Sequence, residues 1–193
     1  MTLLQALRSI GYDAPRWVSP SGRVVFSDSA ATTPVKPHTF HGGASLVEAA
    51  PTATDAWWSD PEYVAREAAT MMAFPGFSRV QFDDQPPGWI GTIDTGYGRF
   101  EILVQHRRDH GLPHVVPVSP RRRERPRGRS MLRSDHLYEN GNLCVAESGD
   151  WDASTDTAAT VVAWAAHWHA CYVAWRSGGG VWPTAGLRQP AAD

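Results

Sequence analysis

Two cysteines among 193 residues are too few for a disulfide framework, and neither belongs to a CxxC pair, so a structural zinc site of that kind is not expected. A marked excess of charge of either sign is missing as well. The 20 acidic residues against 18 Lys and Arg leave a formal charge of −2, which gives no global basis for direct nucleic-acid binding. No apolar run approaches the roughly 20 residues that cross a bilayer, and the first residues lack the charged, apolar and small-residue order of a secretory signal. A cytoplasmic protein with no membrane partner is the expectation. What is present is ordinary: 42% hydrophobic and 20% charged residues, as in a soluble domain, with length for one domain plus an extension.

Residues 1–50 read as an N-terminal extension. Leu3, Leu4, Leu7 and Ile10 stand at helical spacing ahead of Gly11, the pattern of a short amphipathic helix with a glycine stop. A brief strand is expected over 23–26. Residues 27–50 are rich in Ala, Thr, Pro, Gly and His with no hydrophobic period, which predicts a linker or a strap on the surface. His38 and His41 are metal-ligand types without a companion cluster, so surface histidines are the plainer expectation.

The signals sharpen over residues 51–185, read as the main domain. Ser59 is placed to cap a helix with Pro61 and Glu62 in its first turn, an apolar stripe of Val64, Ala68 and Met71 or Met72, and a stop at Pro75 and Gly76. A strand over Val80 to Phe82, a turn at Pro86, Pro87 and Gly88, and a strand over Trp89 to Ile93 follow. The turn around Gly96 and Gly98 leads to Phe100, Ile102 and Val104, whose alternation is that of a half-buried strand. The prolines of residues 111–120 suit an edge strand, because they cannot donate to a central ladder. Arg121, Arg122, Arg123, Arg125, Arg127 and Arg129, broken by Pro126 and Gly128, form a basic loop. A last helix, capped near Ser154 or Thr155, runs to about Arg176 and stops at Gly178, Gly179 and Gly180, and residues 186–193 read as a frayed tail. The fold class is α+β: a leading helix, a four-stranded antiparallel meander, a cysteine-bearing loop and a long helix.

Cys144 follows a polar, turn-prone run, Asp135-His136-Leu137-Tyr138-Glu139-Asn140-Gly141-Asn142-Leu143, which predicts a thiol at the surface. Cys171 lies on an apolar, alanine-rich helix and is expected to be a buried, inert thiol. His167 and His169 are two residues apart, so they point to different sides of that helix and cannot chelate one ion together.

Tyr138, Asn140, Gly141, Leu143, Cys144 and Val145, then Trp151 and a helix from about Thr155, resemble in order and spacing the active-site region of the ubiquitin-conjugating enzymes. The resemblance spans roughly Trp57 to Pro183. His136 stands where the family has its motif asparagine, with Ser134 and Asp135 at the positions of its motif histidine and proline. The single helix after the cysteine, where eukaryotic members continue with further helices, together with this histidine, resembles the bacterial branch.

The resemblance implies the ubiquitin-conjugating fold and a transferase that needs no cofactor and no metal. Cys144 would take a protein C-terminus as a thioester from an activating enzyme, and a lysine amine of a target would then attack to form an isopeptide bond. His136 would replace the missing asparagine as donor to the oxyanion. Asn140, Asn142, Trp151 and Asp152 are candidate supporting residues, with Asp150, Asp152 and Asp156 competing to orient the amine; each acid is equally a helix-start residue. The implied carrier is a ubiquitin-like protein or the C-terminus of a cGAS-like nucleotidyltransferase, in antiphage defence of the CBASS-like kind. Two rivals stand beside this reading: a cysteine hydrolase using Cys144 and His136, and a non-catalytic binding module of the same fold.

Overall fold

A computed structural model of the chain describes residues 16–40, 56–119, 136–177 and 182. The helix expected before Gly11, His41, the arginine loop, the glycine stop after the last helix and the tail lie outside the described residues.

The first described segment forms a small antiparallel sheet of three two-residue strands, β1 (Trp17–Val18), β2 (Val24–Val25) and β3 (Thr33–Pro34), in the order β2-β1-β3. Gly22 turns the chain between β1 and β2 at φ +86°, and a Cβ there would lie 3.0 Å from the backbone of Ile93. The adjacent Ser21 carbonyl accepts from the Asp94 N–H at 2.8 Å, which ties this sheet to the main one. The segment after β3 is not the surface strap its composition suggests. Val35, His38 and Phe40 are all buried, and Trp164 and His167 offer the two rings an aromatic bed.

A 3-10 turn over Trp57–Ser59 leads into α1 (Pro61–Met71). The cap is Asp60 and not Ser59, which the 3-10 turn consumes; the Asp60 carboxylate accepts from the Glu62 N–H at 2.9 Å. Met71 takes the buried place and Met72 is 80% exposed.

The main sheet is an antiparallel meander of β4 (Phe77–Phe82), β5 (Gln85–Asp94), β6 (Arg99–Gln105) and β7 (His114–Ser119), in that spatial order. The turn expected at Pro86–Gly88 falls instead at Asp83 and Asp84, where Asp84 adopts φ +52°, and both prolines lie inside β5. The ladder between β4 and β5 shifts register between Val80 and Phe82, and that irregularity accommodates residues without an N–H. Gly91 is needed where it stands, since a Cβ would meet the Phe77 ring at 2.5 Å. β7 is the edge strand its prolines predict, and Phe100, Ile102 and Val104 face the core.

The last helix, α2 (Ala158–Ser177), begins three or four residues later than its expected cap, because Thr155 and Asp156 donate their N–H groups to the Asp152 carbonyl in a preceding turn. Every residue from Val161 to His169 is buried, as expected of a helix apolar on all sides. His169 lies against Phe100 of β6, whereas His167 lies against Phe40, so α2 runs between the main sheet on one side and the strap on the other.

Candidate active site

The segment holding Cys144 is a narrow hairpin. Leu137 and Leu143 form an antiparallel bridge, the Tyr138 N–H donates to the Asn142 carbonyl at 2.9 Å, and the Cys144 N–H donates to the His136 carbonyl at 3.1 Å. At its tip Asn140 Oδ1 accepts from the Asn142 N–H at 2.9 Å, and Gly141 takes φ +86°, which explains the Asn-Gly pair. Register therefore sets Cys144 opposite His136. Asn140 and Asn142 shape this turn.

The expectation of an exposed thiol is corrected. Cys144 is 1% exposed, with Leu143, Val145 and Ala146 beside it buried as well. The polar run that predicted exposure forms only the hairpin tip; the strand after it is drawn inward. Leu143 donates its N–H to the Val115 carbonyl of β7 at 2.8 Å, and Trp168 Nε1 of α2 donates to the His136 carbonyl at 3.1 Å. His136 is buried too, its ring 4.6 Å from Trp182 and 5.7 Å from Phe40 between centroids. The hairpin thus sets the backbones of Cys144 and His136 opposite one another, with aromatic rings around the imidazole.

The chain after the cysteine is pinned by the strap. Lys36 Nζ reaches Asp156 Oδ2 at 2.5 Å and the Asp150 carbonyl at 3.0 Å, the Thr39 N–H donates to Asp150 Oδ2 at 2.7 Å, and Trp164 Nε1 holds the Lys36 carbonyl at 2.9 Å. Asp150 also closes a capping box with Glu147 around a 3-10 turn over Ser148–Asp150. Asp152 accepts from the Ser154 hydroxyl and N–H at 2.6 and 2.9 Å, and these bonds hold its carboxyl below the usual range. All three acids proposed to orient an amine thus hold local structure. Trp151 is half-buried and donates Nε1 to the His110 carbonyl at 2.8 Å, fastening this stretch to the loop between β6 and β7.

A buried polar group that no sequence motif announced supports the start of α2. Glu67 of α1 is 4% exposed and accepts from Tyr63 Oη at 3.0 Å and from the Ala158 N–H at 3.1 Å, with His106 Nε2 at 3.3 Å. Burial alone pushes the Glu67 carboxyl up, but the hydrogen bond and charge of His106, with donors from Ala158 and Tyr63, outweigh it and leave the group below the usual carboxylate range. Its carboxylate sits at the positive end of α2. Burial, with the Glu67 charge beside it, drives the Tyr63 phenol upward, so it stays a donor. The only sequence signal was the four-residue step from Tyr63 to Glu67 on one helix face.

Cys171 is buried as expected, and His167 and His169 do face different sides of α2. The sequence reading missed that His167 Nε2 lies 3.3 Å from Cys171 Sγ, a contact the i, i+4 spacing allows. His38, expected at the surface, is 2% exposed; its Nδ1 meets the Lys36 carbonyl at 2.9 Å. Burial lowers His38 and His169 to about 4 each. Among the described residues no group of three or more His, Cys, Asp or Glu is arranged to hold a metal ion, and no helix is long and apolar enough to cross a membrane.

An α+β domain with a cysteine on a hairpin between its meander and its long helix narrows the class considerably. The profile of the family described as Type II CBASS E2 protein matches residues 66–189, which include that hairpin and all of α2. The chain belongs to the type II CBASS E2 family, which ties it to CBASS antiphage defence. No curated protein and no solved structure matches it.

Proposed function

We propose that this chain is the conjugating component of a CBASS system, carrying the C-terminus of a partner protein as a thioester on Cys144 and passing it to a lysine amine. The observation that carries the reading is the hairpin: within a chain of this family, the cysteine stands opposite an imidazole-bearing residue at the hinge between sheet and long helix. Cys144 Sγ attacks the carbonyl carbon of a thioester on the activating enzyme, the enzyme's thiolate leaves, and the carrier is transferred. The carrier is a ubiquitin-like protein or the C-terminal segment of a cGAS-like nucleotidyltransferase. A lysine amine of the target then attacks, loses its proton, forms the isopeptide bond and frees the thiol. His136 donates an N–H to the oxyanion of each tetrahedral adduct, a contribution worth about 3 kcal/mol.

Attack requires the carbonyl carbon within about 3–3.5 Å of sulfur, and a thiol 1% exposed offers no such approach. Loading therefore needs the enclosure to open, and the strap bonds at Asp150 and Asp156 are candidate ties to release. The hydrolase alternative is less well supported: such a nucleophile is favoured at a helix N-terminus, and α2 begins only at Ala158.

Cys144→Ser tests the chemistry. Incubated with activating enzyme, carrier and ATP, it should give an ester that resists reductant where the unaltered protein gives a labile adduct; no adduct in either removes the reading. His136→Ala should slow discharge to lysine more than loading, and an unchanged discharge rate removes His136 from the mechanism. Cells whose phage resistance is unaltered by Cys144→Ala would count against the defence role.

A further inference from the structure

Away from the hairpin, a cavity of about 330 Å³ opens between α2, the small sheet and the turn joining β5 to β6. That is the lower end of the size range of ligand pockets, about 300–1,000 Å³. One wall is a single face of α2, where His167, Ala170, Cys171 and Ala174 recur at three- and four-residue steps. The two alanines create the void, since longer side chains at those steps would fill it. Phe26 and Tyr97 stand on the opposite side and are 43% and 88% exposed. Among the described residues, only Met72 besides these two is a strongly exposed large hydrophobe, so exposed aromatic surface is concentrated at the cavity's mouth.

The reactive pair lies in the α2 wall. Cys171 Sγ is 3.3 Å from His167 Nε2, and the His167 ring is held in plane by Phe40, stacked at 5.1 Å and 8°. Cys171 is only 5% exposed, so what reaches its sulfur must first fit the cavity. Arg16, Thr95 and His167 are the polar residues of the lining and the remaining wall is apolar, which favours a ligand with a largely apolar body.

We propose that this cavity is a second binding site, taking an uncharged, largely apolar small molecule that bears an electrophilic carbon and capturing it covalently on Cys171. With an α,β-unsaturated carbonyl compound the sulfur bonds to the β-carbon as the carbon–carbon π bond breaks. His167 Nε2 takes the thiol proton and returns it to the α-carbon, so nothing is oxidised and no group leaves. The site does not depend on thioester chemistry at Cys144.

The test uses the full chain with two maleimides of similar size, N-phenylmaleimide and a sulfonated analogue, with the modified cysteine located by peptide mass mapping. N-phenylmaleimide should modify Cys171 at least about tenfold faster than it modifies Cys144, and about tenfold faster than the sulfonated reagent modifies Cys171; in urea these preferences should vanish. Ala174→Trp, a change at an exposed position, should fill the cavity and slow Cys171 by a similar factor. His167→Gln should move the pH–rate profile of Cys171 to higher pH, an effect that loss of packing alone would not produce. Equal rates for the two reagents, earlier reaction at Cys144, or an unmoved profile in His167→Gln would each overturn the proposal. Should a variant fail to fold, the two-reagent comparison on the unaltered chain decides alone.

Discussion

Two carboxylates hold the entrance to α2 from opposite sides. Glu67 comes from α1, is 4% exposed, and meets Tyr63, His106 and the first N–H of the helix. Asp156 is met from the strap by Lys36, whose side chain is 40% exposed. The same charge chemistry has different weight in the two places, because water competes for the lysine and not for the buried glutamate. The Lys36–Asp156 pair is therefore the weaker tie of the two, although the strap itself is anchored by buried Val35, His38 and Phe40.

The largest effect is expected at the buried side. Glu67→Ala strands the Tyr63 hydroxyl, the His106 ring and the Ala158 N–H without their acceptor, and should cost about 3–5 kcal/mol in urea unfolding. Glu67→Gln keeps one acceptor oxygen and should cost clearly less. A loss below about 1 kcal/mol for the alanine variant would put the two carboxylates on an equal footing and remove the asymmetry.

Acid should act next, on one buried ring of the strap and one of α2. His38 and His169 are held at about 4 by burial, so between pH about 6.5 and 4 the unfolded chain binds protons that the folded one refuses. Stability falls as pH falls through that window, by about 3 kcal/mol for each ring. Glu67, with its folded value also lowered, adds to the same trend at lower pH: its contribution is intact above the ordinary carboxyl range and is lost as pH drops further. Urea midpoints from pH 7 to 4.5 should decline, and His38→Phe should flatten the decline; the Lys36 carbonyl it abandons keeps the Trp164 indole. A flat profile in the unaltered chain would contradict the burial of these rings.

Releasing the strap should matter for rate more than for stability. Lys36→Ala with Thr39→Pro removes both ties to Asp150 and the one to Asp156, and should speed adduct formation at Cys144 about tenfold, or about 1.4 kcal/mol. A slower reaction would mean that the strap builds the site and does not cover it. Lys36→Ala by itself should change stability by less than about 1 kcal/mol, the smallest effect of the series.

Much of the main sheet was legible in the sequence because alternation is a local signal: Phe100, Ile102 and Val104 announce β6, and the prolines around Val115 announce an edge. The β4–β5 turn was misplaced because Pro86 and Pro87 outweigh Asp83 and Asp84 as local breakers, yet the ladder irregularity beside them tolerates prolines. The start of α2 was misplaced because Thr155 has a capping side chain, while the structure closes a turn on Asp152 and reaches across to Glu67. Motif spacing singled out Cys144 and His136, and the hairpin sets their backbones opposite one another. The burial of Cys144 was not legible, since it depends on Val115 and Trp168, far away in the chain. Glu67, His38 and the contact between His167 and Cys171 were hidden for the same reason: each polar group is explained by partners that only the fold assembles.

The most direct measurement is the mass and position of the adduct formed when the unaltered chain is incubated with its activating enzyme, carrier and ATP. A single reductant-sensitive adduct, mapped to the peptide containing Cys144 and absent from Cys144→Ala, is the predicted result. An adduct mapped to Cys171, or one that persists in Cys144→Ala, would contradict the assignment of the carrier thiol.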